Sequence, residues 1–134
     1  MTQPIDVSGA DLIRKHLFVQ SEEIYEDLIL KLKPYIELTS DGTVSVRNLA
    51  RLKMADGILL YLAGKRFFKE TEPKADDTVD AGEIAAALGL NKNVCIARLN
   101  DLKRQGLVAS PARGRYRAVL ARVRDWVGSM FGAR

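Results

Sequence analysis

Apolar residues recur along this chain in two rhythms, one near 3.6 residues and one of two. Leu12, Ile13 and Leu17 share one face of a helix predicted from residue 10 to about 19. Ser21 then has the character of an N-cap. Glu22 and Glu23 fall in the first turn behind it, where carboxylates complement the helix dipole. Ile24, Leu28 and Leu32 follow at four-residue steps, the pattern of an amphipathic helix that stops before Pro34. Between residues 35 and 46 the rhythm shortens to two. Ile36 and Leu38 alternate with polar residues before Asp41-Gly42, and Val44 and Val46 do so after it. Gly tolerates the positive φ of a tight turn, so this stretch predicts a β-hairpin.

A third helix is predicted over about 54–69, with Ile58, Leu59, Leu62 and Phe67 or Phe68 as a broad apolar stripe. Gly57 and Gly64 stand seven apart, on one face. Each costs about 1 kcal/mol against Ala in an exposed helix interior, and close packing at that face offsets the cost. Tyr61, Phe67 and Phe68 belong either to the core or to the wall of an effector pocket. Residues 70–77 are polar and acidic, contain Pro73, and read as a linker between an N-terminal and a C-terminal part.

Residues 78–119 are the informative stretch. Thr78-Val79 reads as a short strand. Asp80 caps the next helix, 81–88, and Glu83 three residues on completes a capping-box pattern. Ile84 and Leu88 share a face, and Gly89 ends the helix in the left-handed conformation. Leu90-Asn91 leads into a second helix, 92–105, whose inward face is marked by Cys95, Leu99 and Leu102. Gly106 ends it, and Leu107-Val108 starts a strand. Residues 110–115 read as a turn and 116–119 as the returning strand. The last helix, 118–131, has an apolar stripe of Val119, Val123, Trp126 or Val127, and Met130. Its face packs on the N-terminal helices or pairs with a second subunit.

Helix, tight turn, helix and basic hairpin, in that order, with Ile84-Ala85, Leu88-Gly89, Leu99, Leu102 and Gly106-Leu107-Val108 at these spacings, resemble the helix-turn-helix core of winged-helix transcription regulators. The likeness is greatest to the small regulators common in archaea. It covers about 40 residues well, and about 65 with helix 54–69 as the first helix of the module. The likeness does not extend to residues 1–50. The resemblance implies an α+β, mostly helical fold: a winged helix-turn-helix over 51–117, an N-terminal helix and β-hairpin extension over 1–50, and a C-terminal helix over 118–134. It also implies a recognition helix at 91–105 and a basic wing at 110–117, with Arg113, Gly114 and Arg115 at the wing tip.

A helix of this width fits the major groove, and basic wing residues approach phosphates or the minor groove. The outward face then holds Lys92, Asn93, Ile96, Ala97, Asn100 and Arg104, and Asn91, at the start of the helix, joins the candidate DNA contacts. Asn93 and Asn100 are candidate base contacts. Lys92, Arg98, Lys103, Arg104, Arg113, Arg115 and Arg117 are candidate phosphate contacts. Ile96 and Ala97 stand where sequence-specific relatives usually carry polar residues. Ile96 can touch a thymine methyl, and neither donates a hydrogen bond. Alternatively, Val94 and Ile96 belong to a protein-binding surface. Tyr116 packs the wing or stacks on nucleic acid, and Arg98 pairs with an acidic neighbour or with phosphate.

Charge sharpens this picture. Residues 1–88 carry 11 Lys/Arg against 15 Asp/Glu, net −4, and residues 89–134 carry 10 against 2, net +8. A basic C-terminal third on an acidic body suits a polyanion partner. The 134 residues are 47% hydrophobic and 28% charged, ordinary globular composition. No apolar run approaches the about 18–20 residues that span a bilayer, and residues 1–13 lack the basic-then-apolar order of a signal peptide. The single cysteine, Cys95, forms no internal disulfide and reads as a small core residue. These features predict a cytoplasmic, nucleoid-associated protein without a membrane partner.

Enzyme signatures are missing from the sequence: no Gly-rich phosphate loop, no dinucleotide fingerprint and no Cys/His metal spacing. His16 stands alone beside Lys15, and the carboxylates at 22, 23, 26, 27, 76 and 77 read as solvated cap or linker residues. The expectation is a non-enzymatic protein without cofactor or metal. It binds duplex DNA as a transcription regulator or chromatin-associated factor, forms a homodimer, and meets a protein partner through the N-terminal extension. The alternatives are a winged-helix protein-interaction module in a larger assembly, and an RNA-binding component.

Overall fold

A computed structural model describes residues 9–17 and 21–130. The chain runs through α1 (Gly9–His16), α2 (Ser21–Leu32), β1 (Ile36–Leu38), β2 (Val44–Val46), a single 3₁₀ turn (Leu49–Arg51), α3 (Met54–Thr71), α4 (Ala81–Leu88), α5 (Lys92–Arg104), β3 (Val108–Ala112), β4 (Arg115–Ala118) and α6 (Leu120–Met130). The fold is mixed α+β and mostly helical, with two small antiparallel hairpins. The side chains of Ser21, Glu22, Glu23 and Ile24, and of Met130, lie outside the described residues, as does Phe131.

The first hairpin pairs Ile36 with Val46 and Leu38 with Val44, the register the alternation predicts. Gly42 sits in its turn at φ 91°. Asp41 accepts from the Thr43 amide at 3.1 Å and from the Thr39 hydroxyl, so the loop satisfies its own polar groups. These bonds hold the Asp41 carboxyl below the ordinary carboxylate range.

Helix α3 is the axis of the core. Its residues 56–64 are all buried, and it packs against the first hairpin on one side and against β4, α4, α5 and α6 on others. Both α3 glycines are close approaches. A Cβ on Gly64 would stand 2.6 Å from Val44 Cγ1, and one on Gly57 2.7 Å from Leu49 Cδ1. Ile84, Cys95, Leu99, Leu102, Val123 and Val127 close the core from the C-terminal half. Tyr61 is buried, whereas Phe67 is only partly covered and lines a pocket of about 310 Å³ with residues of α2 and β1.

Several expectations change. The apolar face of α1 does not enter the core: Leu12, Ile13 and Leu17 are exposed, Leu17 at 73%. In the second hairpin the strand continues through Ala112, and the turn shrinks to Arg113-Gly114, with Gly114 at φ 75°. Pro111 has no amide to give a ladder, and the register shifts between Ala109 and Ala112 as a bulge. The Thr78-Val79 strand reduces to one bridge, Val79 to Tyr116, on the free edge of β4. Val119 precedes α6 instead of joining its stripe, and Leu120, Val123 and Val127 take the buried face. The α6 face packs on α2 and α3, and Arg124 Nε donates to Asp27 Oδ2 at 2.9 Å.

Candidate nucleic-acid interface

Helices α4 and α5 are joined by a tight turn whose geometry the capping residues set. The Glu83 amide donates to Asp80 Oδ1 at 2.8 Å, and Gly89 closes α4 at φ 68°. Asn91 Oδ1 accepts from the amides of Asn93 at 2.9 Å and Val94 at 3.3 Å, which caps α5. The expected reciprocal capping box does not form. The Glu83 carboxylate turns instead to α3, where Oε2 accepts from the Tyr61 hydroxyl at 3.1 Å and pairs with Lys65 Nζ at 3.3 Å. Lys65 Nζ lies 5.6 Å from the Tyr61 ring centroid. Burial, then the Glu83 charge, pushes the Tyr61 hydroxyl pKa up to about 12.

With Cys95, Leu99 and Leu102 turned inward, α5 leaves Lys92, Asn93, Ala97, Asn100, Lys103 and Arg104 exposed. The other expected contacts are placed differently. The Asn91 side-chain oxygen is taken by the cap. Ile96 is half-buried and packs against the core. Arg98 pairs with Asp101 at 3.1 Å while its Nε is buried without a hydrogen-bond partner, and Arg104 pairs with the same Asp101.

One of the three hairpin arginines is hydrogen-bonded to the body, and a second stands near a body carboxylate. Arg115 Nη2 donates to the Thr78 carbonyl at 2.7 Å and to Asp76 Oδ2 at 3.1 Å, and its Nε donates to Thr78 Oγ1 at 3.1 Å. Arg117 Nη1 lies 3.9 Å from Asp77 Oδ2, and Arg66 Nε lies 3.6 Å from the same oxygen. Only 4% of Asp77 is exposed, so the expectation of a solvated Asp76-Asp77 linker is corrected for this residue. The Asp76 carboxyl is held below its usual range by the Thr78 hydroxyl and amide, then by Arg115. Arg113, at the tip, is exposed. Like Lys92 and Lys103, it has no ion pair among the described residues.

The loop anchors were hidden from sequence reading because they act across the fold: Thr78 and Arg115 are 37 positions apart. A local signal existed in Asp76-Asp77-Thr78, where the Asp76 side chain accepts from the backbone amide two residues on, at 2.9 Å. Among the described residues, no cluster of three or more His, Cys, Asp or Glu is arranged to hold a metal ion. No described helix is long and apolar enough to cross a membrane. No protein-family model matches this chain, and no curated protein or solved structure does so either.

Proposed function

We propose that residues 51–117 act as a winged helix-turn-helix that binds duplex DNA, with α5 as the recognition helix and the second hairpin as the wing. The order α3, Val79, α4, α5, β3, β4, with Val79 bridged to β4, supports that reading. One observation carries it: α5 buries one face completely and leaves Lys92, Asn93, Asn100 and Lys103 exposed on the remainder, beside a hairpin tipped by Arg113. Asn93 and Asn100 have the amide geometry that reads adenine edges, and Lys92, Lys103 and Arg113 are cations free to neutralise phosphates. Arg115 and Arg117 shape the hairpin and stand back from the DNA. The regulatory or chromatin-associated role follows from this binding.

The test is duplex binding by fluorescence anisotropy over a range of salt, for the wild type and for a Lys92→Ala, Lys103→Ala, Arg113→Ala triple variant. Each lost phosphate contact lowers the log–log salt slope by about 0.9, so the triple variant loses roughly 2 to 3 from the slope. Wild-type binding no tighter than that of an unrelated basic protein overturns the reading. Competition with structured RNA separates an RNA-binding role.

A second reading, a protein-interaction module, draws on the exposed apolar residues: Val94 on α5 at 40%, Leu12 and Ile13 on α1, and Leu17 just past its end. It predicts binding to a protein surface that salt barely affects.

A further inference from the structure

Helix α2 buries Leu28 and Leu32 and turns a second stripe to solvent. Residues 26, 29, 30 and 33 follow at helical steps of three, one and three; Lys33 stands one residue past the end of α2, and its amide still donates to the Ile29 carbonyl at 2.8 Å, so the four share one face. In order, that face reads acid, apolar, apolar, base: Glu26, Ile29, Leu30, Lys33. All four are exposed, Ile29 at 47% and Leu30 at 64%. Glu26 and Lys33 have no ionic partner among the described residues, whereas Asp27 and Lys31 on the neighbouring face are paired. Ile29 and Lys33 also line the 310 Å³ pocket, whose other apolar walls are Leu32, Ile36, Leu38 and Phe67.

We propose that this face is a homodimer interface in which α2 packs antiparallel against α2 of a second copy across a two-fold axis. The order of charges selects both the occupant and the direction. Antiparallel packing with residue 29 opposite residue 30 brings Glu26 of each copy against Lys33 of the other and removes four large apolar side chains from water. Parallel packing sets Glu26 against Glu26 and Lys33 against Lys33, which repels at both ends. A surface complementary to itself under a two-fold is the property an isologous dimer requires. Leu30 of the second copy then lies over Ile29, at the apolar pocket. This assembly does not depend on the nucleic-acid reading.

Sedimentation equilibrium of the full chain over a wide concentration range tests it, with circular dichroism melting to show that each variant folds. The wild type reaches twice 14.9 kDa as concentration rises. Glu26→Lys alone and Lys33→Glu alone each turn two attractive contacts into two repulsive ones and weaken association about tenfold. Together, in one chain, they restore it. Leu30→Glu gives a folded monomer. A wild type that stays at 14.9 kDa throughout overturns the proposal, and so does a double reversal that associates no better than either single change. In the first of these cases the stripe and pocket receive a different partner.

Discussion

Arg115 donates to the backbone carbonyl of Thr78 at 2.7 Å, across 37 positions of sequence. The same guanidinium reaches the Thr78 hydroxyl and Asp76, so one side chain ties the second hairpin to the loop that leads into α4. The hairpin is therefore aimed by its own arginine. Arg115→Ala is expected to lower stability by about 1 kcal/mol, from lost hydrogen bonds to a partly exposed group. Arg113→Ala, at the solvated tip, should stay within about 0.5 kcal/mol of wild type. Urea unfolding of the two variants measures the contrast. The stability linked to Asp76, whose carboxyl lies below its ordinary range, is present above the unfolded value of 3.8. It is lost as pH falls through the lowered folded value.

The α3 glycines are expected to differ in their response to alanine. A Cβ on Gly64 meets Val44 Cγ1 at 2.6 Å, Val44 Cγ2 at 3.2 Å and Ile36 Cγ2 at 3.3 Å, two β-branched side chains held in a hairpin. Overpacking of this kind costs about 1–3 kcal/mol, more than the about 1 kcal/mol of helix propensity that alanine adds. Gly64→Ala should therefore destabilise. Gly57→Ala meets only the end of the Leu49 side chain, which can rotate away, and should come out near neutral. Thermal melting of both variants checks the order.

Asp56 is buried in the first turn of α3, and desolvation raises its carboxyl pKa against the opposing pull of Lys53 and a hydrogen bond from Trp126. A folded-state value above the unfolded one means that ionisation weakens the fold. The penalty is absent below pH 3.8 and grows as pH rises through the folded value. Asp56→Asn keeps an acceptor for Trp126 without the charge. It should be more stable than wild type at neutral pH, with the difference closing in acid. Unfolding free energies measured across that range decide it.

Cys95 is fully buried and burial pushes its thiol pKa up, so the reactive thiolate is scarce and unreachable. A thiol reagent should label the native protein only at the rate of unfolding and label it at once in denaturant. Fast labelling of the native protein would mean that α5 opens readily from α3.

Much of the architecture was legible in the spacing of apolar residues. The buried faces of α4 and α5 repeat at three and four residues, and Gly89, Gly106 and Asp80 punctuate them with residues whose conformational preferences are local. The first hairpin was legible for the same reason, since alternation and a glycine turn are properties of a few adjacent positions. The candidate site was only half legible. Lys92, Asn93, Ala97 and Asn100 were assigned outward by helical periodicity and are exposed, whereas Ile96, assigned to the same face, is half-buried. The status of Arg98, Arg115 and Arg117 depended on Asp101, Asp76 and Asp77, and an arginine's charge does not reveal whether a carboxylate waits for it.

The amino-acid order alone thus decided the central helices, the turn of the first hairpin and the buried stripe of α5, because each depends on neighbours within about one or two helical turns, and the concentration of positive charge after residue 89 is composition itself. Tertiary structure decided which of those charges remain available, that Glu83 turns from its expected cap to Tyr61 and Lys65, and that α1 and the outer stripe of α2 stay uncovered. These outcomes depend on distances between segments far apart in the chain, which hydrophobic periodicity does not encode.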